Sequence, residues 1–423
     1  MIHYFTLFLI VILTSCNFEE SKREFVVIDS DLQNFLKHSP QDRLLNAEAD
    51  YYFWLKKLDE IPQGYIYLQK AANASLKLFE ITGKPKYLEL NKDLLQKASL
   101  IIQGKNQVNN LLLLSHAEMM LHNFKAAVNY SVKARSLTDE KFGPLMMQYD
   151  GEIELGNYQI AYQLLNRAKQ PESVDYLIRF AKFKDHIGQL DSAIYYCEKA
   201  LKFVESPEKR NWIVSNLGDL YGHAGLIKRS YTKYIEALSY NPNDFHALRG
   251  IIWIAFSYDQ NYPLAKKLCQ YLISNSANPE YLLLLADINE AMGQIDAATM
   301  HRNSFINKAT FPIYNSYLIP TMAEVDSQKA VELALTEVDS RPTPEMFSLL
   351  AWAYYKNGEN QKAIWLLEDE VKGRTHEPLA IYRMAMIYKE VKEHQKSDLL
   401  FQEVIDAEFE VGPNIMQYVP KDL

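Results

Sequence analysis

The chain has 423 residues, a length at which one hydrophobic core stops growing, so the sequence predicts several domains or an array of repeats. It holds only 15 glycines and 16 prolines, which indicates a mostly helical protein. A formal net charge of −8 argues against a nucleic-acid-binding protein, which needs a basic surface to displace counterions.

An apolar run from Tyr4 to Leu13 opens the sequence. It is too short to cross a membrane, which takes about 17–25 residues, and has the length of the apolar part of a signal peptide. The run leads into Leu-Thr-Ser-Cys, ending at Cys16, and this tetrapeptide resembles the lipobox of bacterial lipoproteins. The resemblance implies that residues 1–15 are a signal peptide and that Cys16 carries acyl chains such as palmitate.

The flanking residues qualify this interpretation. The first three residues contain no Lys or Arg, which departs from the pattern and leaves open a buried N-terminal helix with an incidental cysteine. Asn17 stands where lipoproteins retained in the inner membrane carry Asp, so the resemblance implies the outer membrane of a Gram-negative cell, facing the periplasm or the surface. Residues 16–43 are polar and irregular and are expected to form a lipidated tether.

Residues 44–107 are expected to form an N-terminal helical cap, TPR-like but with longer helices than the region that follows. Leu58–Pro62 interrupts the helical pattern. The segment Thr82–Pro85 is typical of a turn between two helices, because it contains both Gly and Pro.

A repeat of about 34 residues runs from 108 to 411. Small residues recur at steps of 32 to 37 residues, at Ala127, Ala161, Ala193, Ser230, Ala265, Ala298, Ala330, Ala363 and Ser397. Five residues before most of them lies a glycine, at Gly156, Gly188, Gly225, Gly293 and Gly358. A small residue lets two helices cross closely, and a glycine supplies the left-handed conformation that ends the first helix of a pair.

This pattern resembles the tetratricopeptide repeat (TPR), and the copy from Leu217 to Pro242 matches the family at nearly every diagnostic position. The resemblance implies an all-α fold, a right-handed superhelical solenoid of about nine TPR-like hairpins over 108–411. Each hairpin buries its apolar face only by stacking on its neighbours.

Two parts of the array are expected to be irregular. In the degenerate copy at 311–343, Pro312 and Pro320 interrupt the first helix, which predicts a bend or a shortened helix. The C-terminal tail, residues 412–423, is too short for a full capping helix. We therefore expect either this tail or another molecule to cover the last hairpin.

No catalytic, nucleotide-binding or zinc-binding motif occurs in the sequence. His116 and His122 fall on different faces of a helix, which argues against a shared metal. Cys197 and Cys269 fall at one packing position two repeats apart, roughly 35–40 Å in a solenoid, so both are expected to be buried free thiols. The sequence predicts no enzyme activity, no cofactor and no metal site.

In the TPR family the first helices line a concave groove that contacts protein partners. The register places eight candidate partner-binding residues there: Asp219, His223, Tyr258, Asp287, Glu290, Trp352, Tyr355 and Tyr382. Acidic and aromatic side chains together suit a basic or polar-aromatic segment of a partner. Alternatively, the acidic residues are a solvated face and Trp352 is half-buried packing.

The family also has a clamp for acidic C-terminal peptides, built from Lys and Asn. This chain has Asp150, Asp219 and Asp287 at one of the clamp positions, so that specificity is not expected.

The sequence therefore predicts a membrane-anchored protein–protein interaction scaffold of the cell envelope, whose partner is an unidentified envelope protein or peptide and not a nucleic acid. The alternative is a nutrient-binding lipoprotein similar to the SusD family, which captures glycans on aromatic platforms. Hairpins that follow each other without long insertions, and only five tryptophans, favour the scaffold.

Overall fold

The computed structural model describes residues 25–421 of the protein. The signal peptide predicted at 1–15, the predicted lipid site Cys16 and the first part of the tether lie outside the described residues. Within them, every regular element is helical and no strand occurs. None of the described helices is both long and apolar enough to span a bilayer.

The helices follow one another with short connections. In chain order they are α1 (Asp29–Leu32), α2 (Gln41–Glu60), α3 (Tyr65–Thr82), α4 (Lys86–Ile101), α5 (Gln107–Met120), α6 (Phe124–Ser136), α7 (Phe142–Glu154), α8 (Tyr158–Arg167), α9 (Val174–His186), α10 (Leu190–Ala200), α11 (Pro207–His223), α12 (Ile227–Tyr240), α13 (Phe245–Trp253), α14 (Tyr262–Asn275), α15 (Glu280–Ala291), α16 (Ile295–Lys308), α17 (Asn315–Ala323), α18 (Ser327–Ser340), α19 (Pro344–Lys356), α20 (Asn360–Leu366), α21 (Pro378–Glu390), α22 (His394–Asp406), α23 (Glu408–Val411) and α24 (Pro413–Met416).

Three helices, α2 to α4, precede the repeats, and their joints lie where the sequence predicts them. In the described part of the chain, nine antiparallel hairpins follow, from α5/α6 to α21/α22. Consecutive hairpins pack on each other, as a solenoid requires. The two short helices α23 and α24 belong to the C-terminal tail.

The helix crossings confirm the predicted register. All nine small residues that mark them are at most 1% exposed. The five predicted turn glycines have φ between 69° and 78°, in the left-handed region. A residue with a Cβ rarely adopts this conformation, which explains the preference for glycine at this turn.

Three turns adopt the same conformation without glycine. His122, Gln260 and Lys392 have φ of 60°, 54° and 65°, and they are the non-glycine residues with positive φ in the part of the chain that is described. Each lies five residues before a small residue of the register. The hairpin geometry therefore imposes the left-handed turn, and the sequence supplies glycine only where other constraints allow it.

The copy predicted to be degenerate has the expected shortened helix. A 3₁₀ turn at Pro312–Tyr314 replaces its start, and α17 has only nine residues. Pro320 lies inside α17, where it removes one intrahelical hydrogen bond.

The second half of the solenoid lies against the first half. The α3/α4 turn meets the α14/α15 connection, where the Ala277 amide donates to the Thr82 carbonyl over 2.8 Å. The guanidinium of Arg341, after α18, covers the ring of Phe124 at 5.6 Å from its centroid. Further along, a Cβ added to Gly188 would lie 3.0 Å from the ring of His376. The superhelix is therefore wound tightly, and its turns touch.

The predicted tether is shorter than expected, because its second part is folded. Val26, Val27 and Leu32 are 8%, 3% and 0% exposed and join the apolar cluster of α12 to α14. Apolar side chains at these positions explain the docking, which the polar character of the surrounding residues obscured.

Cys197 and Cys269 are buried and free, as predicted. Burial raises the pKa of each thiol to about 12. Both therefore act as small apolar packing residues.

Candidate partner-binding groove

The first helices of the hairpins form the inner face of the solenoid. We call the inner surface of α9, α11, α13 and α15 the groove, and residues 408–421, which lie on it, the tail. α23 contacts α11 and α21, and α24 contacts α15, so the tail crosses the interior of the superhelix.

Ion pairs connect the first helices at the N-terminal end of the inner face. The guanidinium of Arg179 in α9 binds both carboxylate oxygens of Asp150 in α7, over 2.9 and 2.6 Å. Lys182 pairs with Glu154 one turn further along the same two helices. Burial raises the pKa of Glu154, but the ammonium of Lys182 outweighs it and the net shift is downward. These charges are satisfied within the chain, so they set the spacing of the helices.

Asp219 has two partners inside the chain. It accepts a hydrogen bond from the Tyr234 hydroxyl over 2.6 Å, and it lies 2.6 Å from Nε2 of His246. Burial lowers the pKa of His246, but Asp219 outweighs it and raises the pKa overall. The ring of Tyr234 fits between two helices because Gly218 and Gly250 have no Cβ, which would lie 2.3 and 2.2 Å from the ring.

Asp287 and Glu290 share one partner. The guanidinium of Arg302 in α16 lies 3.0 Å from Asp287 and also binds Glu290. Burial raises the pKa of Asp287 to about 6 in spite of this cation. Its side chain is nevertheless 38% exposed, so it keeps contact with solvent and does not lie in the core.

The aromatic candidates lie close together at the C-terminal end of the array. Trp352 is 7% and Tyr382 is 9% exposed. The ring of Trp352 lies 5.2 Å from that of Tyr355 and 6.2 Å from that of Tyr382, and Lys356 covers it at 4.9 Å. These rings join α19 to α21 and present little free surface. Tyr258, in contrast, is 42% exposed.

The tail is seated in the groove by polar contacts. The Phe409 carbonyl accepts hydrogen bonds from the Trp253 indole over 2.8 Å and from the Ser257 hydroxyl over 2.7 Å. The Glu410 carboxylate lies 2.8 Å from Nδ1 of His223. Burial lowers the pKa of His223, but the bond to Glu410 outweighs it and raises the pKa to about 9. At neutral pH this contact is therefore an ion pair.

After Glu410 the tail passes from α11 to α15 and then returns to the last hairpin. Gly412 has a φ of 78°, and a Cβ there would lie 3.1 Å from the ring of Trp253. The Asn414 side chain donates to the Asp287 carbonyl over 2.8 Å. Val411 and Val419 are 4% and 6% exposed and pack against the last hairpin. The tail thus both covers the end of the array and fills part of the groove.

A π turn at Ile254–Tyr258 extends α13 and places two further contact residues. Ser257 contacts the tail, and Asp259, directly after the turn, contacts the N-terminal segment at Val26 and Val27. The Asp259 carboxylate is 3% exposed and accepts the backbone amides of Val26 and Val27 over 2.9 and 2.8 Å. Such one-residue insertions occur often at functional sites.

The sequence did not nominate Trp253, Ser257 or Asp259. The repeat steps do not mark them, since the step of 34 residues from Ala363 to Ser397 also contains a π turn, at Leu367–Val371. Of the eight predicted residues, His223 contacts the tail by its side chain and Asp287 by its carbonyl.

The groove residues offer hydrogen bonds and charges but no metal site. In residues 25–421, no group of three or more His, Cys, Asp or Glu side chains could hold a metal ion.

The chain is similar to several known proteins over parts of its length. No family model matches the chain. Over 153 residues it is 26% identical to anaphase-promoting complex subunit 3 of Schizosaccharomyces pombe, covering 33% of this chain and 22% of that protein. The match thus spans about a fifth of the relative's length.

Among solved structures, the human IFIT1 dimer with PPP-AAAA is 15% identical, with a TM-score of 0.49, 72% of this chain covered and 71% of that one. A tetratricopeptide repeat protein from Parabacteroides merdae is 14% identical, with a TM-score of 0.37, and covers 70% of this chain and 97% of its own. A TPR protein of Thermus thermophilus is 18% identical, with a TM-score of 0.38, 44% of this chain and 98% of its own. Register, left-handed turns and stacked hairpins identify the chain as an all-α solenoid with the TPR fold.

Proposed function

We propose that the chain is a membrane-anchored scaffold of the cell envelope, which binds a segment of a partner protein in its groove. TPR solenoids are in general protein-interaction scaffolds, and this is the coarse function that the fold supports. The observation that carries the finer proposal is that the groove already holds a polypeptide segment, the tail, through side-chain and backbone contacts. A surface with such a seat can hold a segment of another protein.

The anchor we propose is a lipid on Cys16 in the outer membrane. The Asp259 carboxylate fixes the chain at Val26, beside the outer helices α12 and α14. Val26 is the tenth residue after Cys16, and ten residue steps span at most about 33–36 Å. A lipidated chain would therefore keep this side of the solenoid close to the membrane, with the groove accessible from another side.

Lipidation is tested first. Cells producing the chain are fed an alkyne-tagged palmitate analogue, and we expect the tag on the wild-type chain and not on Cys16→Ala. Labelling of the variant, or none of the wild type, would contradict the anchor. A variant that keeps the thiol but changes a nearby residue, Ser21→Ala, serves as the matched control.

Partner binding is tested by proximity crosslinking in intact cells, followed by mass spectrometry. We expect one envelope protein to be captured by the wild-type chain and to be lost both from Cys16→Ala and from the groove variant His223→Ala. Capture that is the same with His223→Ala would place the partner outside the groove. If no protein is enriched, the scaffold proposal fails.

Glycan binding, the second candidate, has one specific observation in its favour. A cleft of about 740 Å³ lies where the α3/α4 turn meets α11 and α13, lined by Asn211, Asn216 and the rings of Trp212 and Tyr240. Both rings are 49% exposed. Aromatic faces and amides together suit a sugar. Binding to a glycan array that Trp212→Ala abolishes would support this candidate; no binding would remove it.

A further inference from the structure

The tail reaches further into the solenoid than covering its end requires. Val411 and Val419 pack on the last hairpin, where apolar contact alone would shield the end of the array. The segment from Phe409 to Asn414, however, contacts α11, α13 and α15, which belong to earlier hairpins. These contacts include specific hydrogen bonds beside the apolar packing of Phe409, as in a bound peptide.

The groove residues around Phe409 and Glu410 fit these two side chains in this order. The ring of Phe409 fills the space beside Gly222, where a Cβ would lie 3.0 Å from it. Its carbonyl takes two hydrogen bonds from α13 and the π turn. The next side chain, Glu410, meets His223. An aromatic residue followed by an acidic one is therefore what this part of the groove fits.

The charges around the tail act on its docking in opposite directions. Glu410 enters a region that also holds the carboxylates of Asp185 and Glu377, and His223 is the cation in contact with it. Burial raises the pKa of Asp185, the imidazoles of His223 and His186 lower it, and Glu410 and Asp219 raise it by smaller amounts. Burial likewise raises the pKa of Glu377, where Arg383 opposes the shift and Glu410 adds to it. Repulsion among carboxylates offsets part of the attraction to His223.

We propose, building on the function proposed above, that the tail is an internal competitor for the groove, and that the partner segment which displaces it carries an aromatic residue directly followed by an acidic one. The tail is joined to the solenoid, so its effective concentration at the groove is high and only a well-matched segment replaces it. The tail then prevents binding of poorly matched segments.

The probe is a fluorescent peptide with the sequence of residues 406–421, added to the full-length chain. In Phe409→Ala/Glu410→Ala the chain's own tail is weakened, and we expect this variant to bind the peptide roughly 100-fold more tightly than the wild type does. Glu403→Ala, exposed on α22, is the matched control and should bind as the wild type does. Circular dichroism and melting verify that each variant is folded.

A second substitution locates the peptide. We call Phe409→Ala/Glu410→Ala the released variant. Adding His223→Ala to it should weaken peptide binding at least tenfold. Adding His223→Lys instead should retain most of the binding, because the positive charge remains. Equal binding by the wild type and the released variant, or none by a folded released variant, overturns the proposal. If the released variant does not fold, the wild-type chain is tested alone with excess peptide. The peptide should displace the tail and speed amide exchange in residues 408–419, and unchanged exchange would refute competition.

The two proposals fail in different ways. If crosslinking captures an envelope protein equally with the wild type and the released variant, the scaffold function stands and the competition does not. If peptide and tail exchange in vitro but no protein is captured in cells, the groove is a peptide site and the scaffold function fails.

Discussion

The docking of the N-terminal segment on Asp259 can be tested by a single substitution. Asp259→Ala leaves the amides of Val26 and Val27 without an acceptor in a buried site. A hydrogen bond to a charged group contributes about 1.5–3 kcal/mol, so two contribute roughly 3–6 kcal/mol if both donors stay buried. The segment can instead detach and let its amides reach water, so we expect a loss near the lower limit, about 3 kcal/mol of local docking free energy.

The assay is native-state hydrogen exchange, read on the peptide covering residues 25–38. A loss of about 3 kcal/mol should speed exchange of the Val26 and Val27 amides roughly 100-fold. Amides in α8 should not change, because repeats far apart in a solenoid respond independently. Asp259→Asn keeps one acceptor and should give an intermediate effect.

Asp29→Asn is the matched control within the same segment. Asp29 pairs with Lys267 over 2.9 Å, but their side chains are 42% and 56% exposed. An exposed ion pair contributes about 0.2–1 kcal/mol, so exchange should rise only a few fold. If Asp259→Ala left the exchange of Val26 and Val27 unchanged, or matched Asp29→Asn, the buried carboxylate would not hold the segment.

Three further predictions concern the tail, the helix crossings and the thiols. The pKa of His223 in the docked state is about 9, above its ordinary value of 6.5. Tail docking should therefore be strongest below pH 6.5 and weaken as the pH rises through about 9. Amide exchange in the tail measures this, and His223→Ala should remove the pH dependence. Ala363→Trp should overpack a helix crossing and destabilise that region by about 1–3 kcal/mol or more. Gln361→Trp, at an exposed position nearby, should not destabilise it. Equal melting temperatures of the two variants would mean that the predicted register is wrong. Cys197 and Cys269 should react with thiol reagents slowly in the native chain and rapidly in denaturant, because burial raises both pKa values to about 12; fast native reaction would contradict their burial.

The hairpins could be predicted from the sequence because their determinants lie close together in it. Ala161 and Gly156 are five residues apart, and each requires its residue type for a local reason, a close helix crossing and a left-handed turn. Even the turn at Lys392 follows from the same register, although it has no glycine. The steps between small residues therefore gave the number and order of the hairpins.

The groove could be predicted only in part, because its contacts join residues far apart in the chain. Phe409 and Trp253 are 156 residues apart, and no periodic pattern relates them. The register also predicts on which face of its helix a side chain lies, but it does not predict which residues of other helices bury that side chain. Trp352 and Tyr382 lie on the predicted helices, but neighbouring rings bury them.

The two ends of the described chain meet at one element, and this suggests a final test. Trp253 and Ser257 hold the tail, while Asp259, directly after the π turn, holds the N-terminal segment. A π turn is less regular than an α-helix, so its geometry depends on the contacts that each side makes. If the geometry of the π turn changes when either docking is lost, the two dockings are coupled, and the coupling free energy is equal in both directions.

Weakening the tail should therefore also loosen the N-terminal segment. In Phe409→Ala/Glu410→Ala we expect faster exchange at Val26 and Val27, and in Asp259→Ala faster exchange in the tail. The two changes in free energy are equal when each variant fully undocks its own segment. Glu403→Ala should change neither. Exchange that changes only next to each substitution would make the two dockings independent. With a lipid on Cys16, coupling would connect the membrane end of the chain to the state of the groove, because displacing the tail would release the segment that leads to the anchor.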